Sequence, residues 1–263
     1  MVDIARERPI ASDDALKSPG LRRLLKADPV LVLCLALGAL LVGAAILAPV
    51  LSPHGPDAQR LLARLKPPVG FGGTATYLLG SDQLGRDILS RCLYGLRLTL
   101  LLAAFGALVG LLAGAAAGMV AWLAGGVIDH LVMGMCDVKL SMPFTLVALL
   151  VIAVAGADLV VLVIVLGLAY WAHFARLIRA QVMALRELPF IEAARAAGAS
   201  GWRIAFKHML PNIVSPVIVM LTLNFSNLIL LESSLSFLGL GVQPPTATLG
   251  SDRKSTRLNS SHT

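Results

Sequence analysis

The sequence predicts an all-α protein, a polytopic bundle of transmembrane helices. Three observations carry this. The 263 residues are 57% hydrophobic and 14% charged, with a mean hydropathy of +0.82, whereas a soluble domain carries nearer a quarter charged residues. Several charge-free apolar runs are long enough to cross a bilayer. Lysines and arginines crowd some connections and are absent from others, the asymmetry that orients membrane proteins.

The spans follow in order. Val30–Leu51 carries no charge and would be about 33 Å long as a helix. Leu98–Ile128 is also charge-free. Leu140–Ala157 and Leu159–Ala175 form the third and fourth spans, nearly as clean, with His173 inside the fourth the group that titrates near neutral pH. Asn212–Leu231 is the fifth. The leading apolar run is too long for a cleavable signal and no A-x-A site follows it, so it reads as a retained anchor.

Before the first span lie Arg6, Arg8, Lys17, Arg22, Arg23 and Lys26; between the fourth and fifth lie Arg176, Arg179, Arg186, Arg195, Arg203 and Lys207. Both segments are therefore expected in the cytoplasm. Residues 52–96 then lie outside, carrying Arg60, Arg64, Lys66, Arg86 and Arg91; long loops translocate with less regard to charge. Basic residues that flank spans do not make a nucleic-acid surface.

Gly106, Gly110, Gly114 and Gly118 recur every four residues in the second span. That spacing keeps them on one ridge of a helix. Glycine there lets another backbone approach closely, either as fixed packing or as a contact that slides.

Chemistry is nearly absent. No P-loop, G-x-G-x-x-G or H-E-x-x-H motif occurs, and the five histidines have no metal-ligand spacing. Cys34, Cys92 and Cys136 stand singly in apolar context and read as small apolar side chains. No catalytic residue, cofactor site or metal site is indicated. Asp129, Asp137 and Lys139 fall near the inner end of the third span, within reach of water. Glu232 ends the fifth, where it is either functional or a solvated capping group.

A bundle with no engine of its own needs an external drive. "EAARAAGASGWRIAFKHMLPN", Glu192 to Asn212, is the segment suited to receive one. Pro189 fits a first helical position and Glu192 the first turn. Ala193, Ala194, Ala196 and Ala197 make a slim, stiff helix; Gly198 stops it, and Gly201 reinforces the break. Trp202–Met209 reads as a second short helix, and Pro211 leads into the fifth span. The alternatives are a helix that seats in a partner's groove and an ordinary interfacial loop helix.

This stretch resembles the signature of inner-membrane permease subunits of binding-protein-dependent ABC importers. That pattern is E-A-A, three residues, G, nine residues, I-x-L-P. Glu192, Ala193, Ala194, Gly198, Leu210 and Pro211 fall on it, with His208 at the isoleucine position. Leu78–Leu100 resembles the segment before the second span of the C-type permease in dipeptide, oligopeptide, nickel and glutathione importers. Glu232–Gly250 resembles the external loop of the same subunits. The resemblance covers roughly Val30 to Gly250.

The resemblance implies a type I ABC importer permease fold in the bacterial inner membrane, with five of an expected six spans present. It implies a heterodimer with a second permease subunit, two cytoplasmic P-loop ATPase subunits and an external substrate-binding protein. Its substrate would be a di- or oligopeptide, or alternatively nickel or glutathione. Residues 1–29 would be cytoplasmic, 30–51 the first transmembrane helix, and 52–96 an external loop with an interfacial helix. Residues 97–250 would be the permease core, with a coupling helix at about 189–207. Ala193, Ala194 and Ala197 would let that helix seat in an ATPase subunit, Glu192 would cap or contact it, and Gly198 would make its turn.

Ser81 is a candidate N-cap for an interfacial helix running through Arg91. The same region, with Ser81, Asp82, Gly85, Arg86 and Asp87, is the candidate outer face for a docked binding protein. The final "SDRKSTRLNSSHT", residues 251–263, resembles translated sequencing-adapter read-through; the alternative is a native polar tail. Two rival functions are a secondary transporter or channel, which calls for repeats or buried charges in the spans, and a membrane scaffold with no pathway. Neither accounts for three motifs in order.

Overall fold

The computed structural model describes residues 29–242 and 246–250. The expected cytoplasmic N-terminal segment and the 251–263 tail lie outside the described residues. All regular elements among the described residues are helical. The chain divides into two units, Met1–Gly43 and Ala44–Thr263. Described residues of the first unit form most of α1, Pro29–Ile46, an apolar helix without a charge.

In the second unit, α2 (Ala48–Leu51) follows a break at Leu47. The expected span Val30–Leu51 is therefore interrupted, because Pro49 lacks an N–H and its ring opposes a continuing helix. Residues 52–87 hold only a 3₁₀ turn at Leu61–Ala63, as expected of a stretch studded with Pro53, Pro56, Pro67, Pro68 and six glycines.

The long helix α3, Ile88–Ala124, begins at Asp87, whose carboxylate accepts the Ser90 N–H at 3.1 Å. This corrects the expectation of a separate interfacial helix capped by Ser81. Ser81 is not a cap: its hydroxyl donates to the Ala63 carbonyl and accepts from the Lys66 N–H at 2.8 Å. The interfacial segment from Ile88 is the first turn of the span itself. α3 stops before Gly125, where φ is +60°, so the expected second span is shorter at its end by four residues and longer at its start.

The expected third span, Leu140–Ala157, is two helices. α4 (Gly126–Ser141) and α5 (Phe144–Ala155) meet at 91° across Met142–Pro143. Proline bars its predecessor from the α region, so apolar continuity did not make one rod. α6, Leu159–Arg186, is capped by Asp158 accepting from Val160 N at 3.2 Å. It outruns the expected fourth span by more than two turns.

α7, Pro189–Ala196, has Pro189 at its first turn as expected. α8, Gly201–Phe237, absorbs two elements that the sequence suggested were separate. Residues Trp202–Met209 do not form an independent short helix. Ser200 caps Gly201–Arg203, Ile204–Met209 is a π segment, and the rod continues through Leu210–Phe237. Leu210 N donates to Ala205 O, five residues back. The wider turn accommodates Pro211, which has no N–H to give.

Among the described residues four helices are long and apolar enough to cross a membrane, or five with the bent α4–α5 pair as one. The chain is the all-α polytopic bundle expected. The most extensive contact is α3 against α6. α8 packs on both, and α4 and α5 fold back along α6.

Candidate functional site

α7 sits at the end of the bundle where α3 stops. It is pinned from beneath by Ile191, which is fully buried in a cluster with Met119, Ile178, Val182, Ile204, Met209 and Ile213. Ala194 packs against that cluster too. Glu192, Ala193, Ala197 and Gly198 are exposed. One face is thus anchored by Ile191, and the exposed residues include Phe190, Glu192, Arg195, Ala193, Ala196 and Ala197. Gly198 has φ +80° with nothing within 4 Å of a notional Cβ, so it is required by backbone conformation rather than by space. The structure brings Glu192 to Gly198 together. Leu210 and Pro211 lie apart on α8, beyond the π segment against which α7 packs.

The four glycines form one continuous seam. A Cβ at Gly106 would meet Leu166 Cβ at 2.7 Å, one at Gly110 the Gly167 carbonyl at 2.9 Å, and one at Gly118 the Ala175 carbonyl at 2.6 Å. At Gly114 it would overlap the Trp171 carbonyl and reach Phe174 Cβ at 2.6 Å. Partner numbers rise with glycine numbers, so α3 and α6 run parallel. All four glycines are buried. Without a hydrophobic drive in lipid, this backbone contact is what joins two helices.

At the opposite end, the outer-face candidates are turned inward. The Asp82 carboxylate accepts from Leu84 N and Arg86 N at 2.8 and 2.9 Å and from Arg86 Nε at 2.6 Å. Ser81 and Asp87 form a bridge and are buried. Gly85, at φ +70°, lies against the Arg60 carbonyl. These five residues build a tight turn that delivers the chain into α3; Gln83 and Leu84 are the exposed members of that turn.

Comparison with known proteins decides what these features belong to. The family described as "Binding-protein-dependent transport system inner membrane component" matches residues 106–257, which contain the seam, α7 and α8. A second, "N-terminal TM domain of oligopeptide transport permease C", matches residues 21–68. The chain belongs to the binding-protein-dependent permeases. The di/tripeptide transport system permease protein DppC of Pseudomonas aeruginosa is 39% identical over 219 residues, 83% of this permease and 72% of that protein. The dipeptide transport system permease protein DppC of Bacillus subtilis is 35% identical over 243 residues, 90% and 74% of the two chains. The glutathione transport system permease protein GsiD of Pectobacterium atrosepticum is 38% identical over 179 residues, 68% of this permease and 60% of that protein.

Two polar arrangements in the permease escaped the sequence reading. The first is a clamp between α4 and α6. Arg179 Nε and Nη2 each donate to an Asp129 carboxylate oxygen at 2.5 Å, and Arg176 pairs with Asp137. Asp129 is half-buried under Arg179 and still within reach of water as expected, and Asp137 is exposed. Arg176 and Arg179 are three apart, hence neighbours on a helix face; that spacing was the available signal. Arg179→Leu is expected to lower stability by about 1–3 kcal/mol, read as a fall in the Tm of the purified permease. Asp129→Leu combined with Arg179→Leu should recover part of the loss, because no charge is then left unpaired. A wild-type Tm for the single variant would show the clamp to be idle.

The second is Glu232. It is 2% exposed and lies inside α8, which runs on to Phe237. It is neither solvated nor a cap. Thr99 Oγ1 on α3 donates to Oε2 at 2.9 Å and Ser236 Oγ donates to Oε1 at 2.7 Å. The carboxyl therefore ties α8 to α3 near the end that also holds the Asp82 turn.

Proposed function

We propose that this chain is the C-type permease subunit of an ATP-driven importer that moves di- or oligopeptides across the bacterial inner membrane, with its N-terminus in the cytoplasm. It works as a heterodimer with a second permease. Two cytoplasmic P-loop ATPase subunits drive the pair, and an external binding protein delivers the peptide. α7 is the coupling helix: Glu192, Ala193, Ala197 and Gly198 meet the ATPase subunit, while Ala194 helps hold the helix to its own bundle. Catalysis belongs to the ATPases.

The observation that carries this reading is the construction of α7. A short helix with an exposed outer side, anchored by Ile191 and packed on the base of α8, passes a push to the spans instead of absorbing it. The names of the relatives support peptides as substrates. One relative is a glutathione permease, which favours glutathione as the second reading. Nickel has no such support among these relatives.

The test is uptake into proteoliposomes holding the complete importer. ATP-dependent accumulation of a labelled dipeptide, dependent on the binding protein, is expected. Glutathione taken up in preference to dipeptides would move the assignment to the second reading. ATP-independent uptake, or none, would overturn the importer.

A further inference from the structure

We propose that the cavity around Lys139 binds the terminal carboxylate of the transported peptide, an inference that rests on the peptide-importer reading above. The cavity lies at the elbow between α4 and α5, against α6. It measures ≈ 410 Å³, and Lys139, Phe144, Thr145, Tyr170 and His173 are among its lining residues. That volume is within the range of small-ligand pockets.

Lys139 sits in the last turn of α4, inside the bent α4–α5 pair, half-buried and with no counter-charge among the described residues. Its ammonium carries three donors. One goes to the Ala169 carbonyl. The Phe144 and Tyr170 ring centres lie 5.3 and 5.9 Å from Nζ, cation–π distances that stabilise a cation but do not neutralise it. Among the described residues no carboxylate pairs with it: Asp137 is held by Arg176 and Asp129 by Arg179. His173 adds a second unmet demand, since its Nδ1 is buried with no hydrogen-bond partner. A lone charge within a span and an orphan buried nitrogen are both costly. One carboxylate in the cavity answers the first, accepting from the ammonium, while His173 forms part of the wall with its Nδ1 covered.

The surroundings fit the rest of a peptide. A second hollow of ≈ 650 Å³ shares Lys139, Met142 and Phe144 with the first. Leu131, Met135, Val138 and Val147 make it largely apolar. A charged end at Lys139 would thus leave side chains lying along an apolar wall. The terminal carboxylate is also a feature that peptides of every sequence share, so gripping it does not restrict the cargo.

Two measurements on the complete importer test this. The first is uptake of a dipeptide against its C-terminal amide. Lys139→Gln is expected to cut uptake of the free acid about tenfold and to leave that of the amide unchanged; Lys139→Arg should keep the wild-type ratio. The second is equilibrium binding of the labelled free-acid dipeptide to the purified complete importer, with Kd raised about tenfold by Lys139→Gln and unchanged by Lys139→Arg. An unchanged acid-to-amide ratio, or equal loss of both peptides, overturns the carboxylate site while leaving the importer intact. A wild-type importer that moves neither peptide removes the peptide reading itself.

Discussion

Gly114→Leu is expected to prevent the two central helices of this permease from assembling. A Cβ at Gly114 would overlap the Trp171 carbonyl, stand 2.6 Å from Phe174 Cβ, and reach Ala175 N at 3.0 Å. Two of these three are backbone atoms, which cannot rotate aside. The helices would have to part, and parting them loosens the seam from Gly106 to Gly118 together. Overpacking costs about 1–3 kcal/mol in a core that can relax; a loss at or above the top of that range is expected here. Monodisperse permease recovered after detergent extraction should fall at least severalfold, with a lower Tm. Gly110→Ala should be the mildest seam substitution, since its nearest contact is 2.9 Å away. Gly134→Ala, on α4 with nothing within 4 Å, should be neutral or slightly stabilising, because alanine is the better helix former. Wild-type yield and Tm for Gly114→Leu would refute the seam as the join.

Uncoupling is the expected outcome of Ala193→Trp with Ala197→Trp. Both positions are exposed and four residues apart, so they share a face of α7. Two indoles there would keep the helix from seating while leaving Ile191 and its cluster untouched. Permease abundance and ATP hydrolysis should persist, and peptide uptake should fall at least tenfold. Ala194→Trp is a less clean test, because Ala194 packs on the same cluster as Ile191; it should also reduce abundance. Gly198→Val should act through the backbone alone, since φ +80° costs a β-branched residue roughly 1–2 kcal/mol. Gly198→Asn should be better tolerated. Coupled uptake at the wild-type rate in the double tryptophan variant would end the coupling-helix assignment.

What was legible in the sequence was what local rules decide. Pro189 at the first turn of α7, Gly198 at its end and the four-residue glycine ridge each follow from a few neighbouring residues. The errors fall where distant residues decide. Ser81 and Asp87 are both good N-caps by type; the choice went to Asp87 because Ser81 is engaged by Ala63 and Lys66, fifteen or more residues away. Glu232 looked like a span-end acid until Thr99, 133 residues earlier in the chain, was placed beside it. Lys139, Tyr170 and His173 meet only because α4 folds back along α6. The bend at Pro143 is the exception, a local signal set against apolar continuity on both sides.

The π segment at Ile204–Met209 gives a meaning to the spacing in the signature. A π turn holds one residue more than an α turn, and one residue turns an α-helix by about 100°. The count from Gly198 to Pro211 therefore fixes an angle as well as a length. With one residue fewer, Asn224, Leu228 and Glu232 would swing about a quarter-turn away from α3, although every side chain on α8 would be unchanged. The invariant to look for across such permeases is thus a phase, set at the base of α8 and read out some 40 Å farther along it.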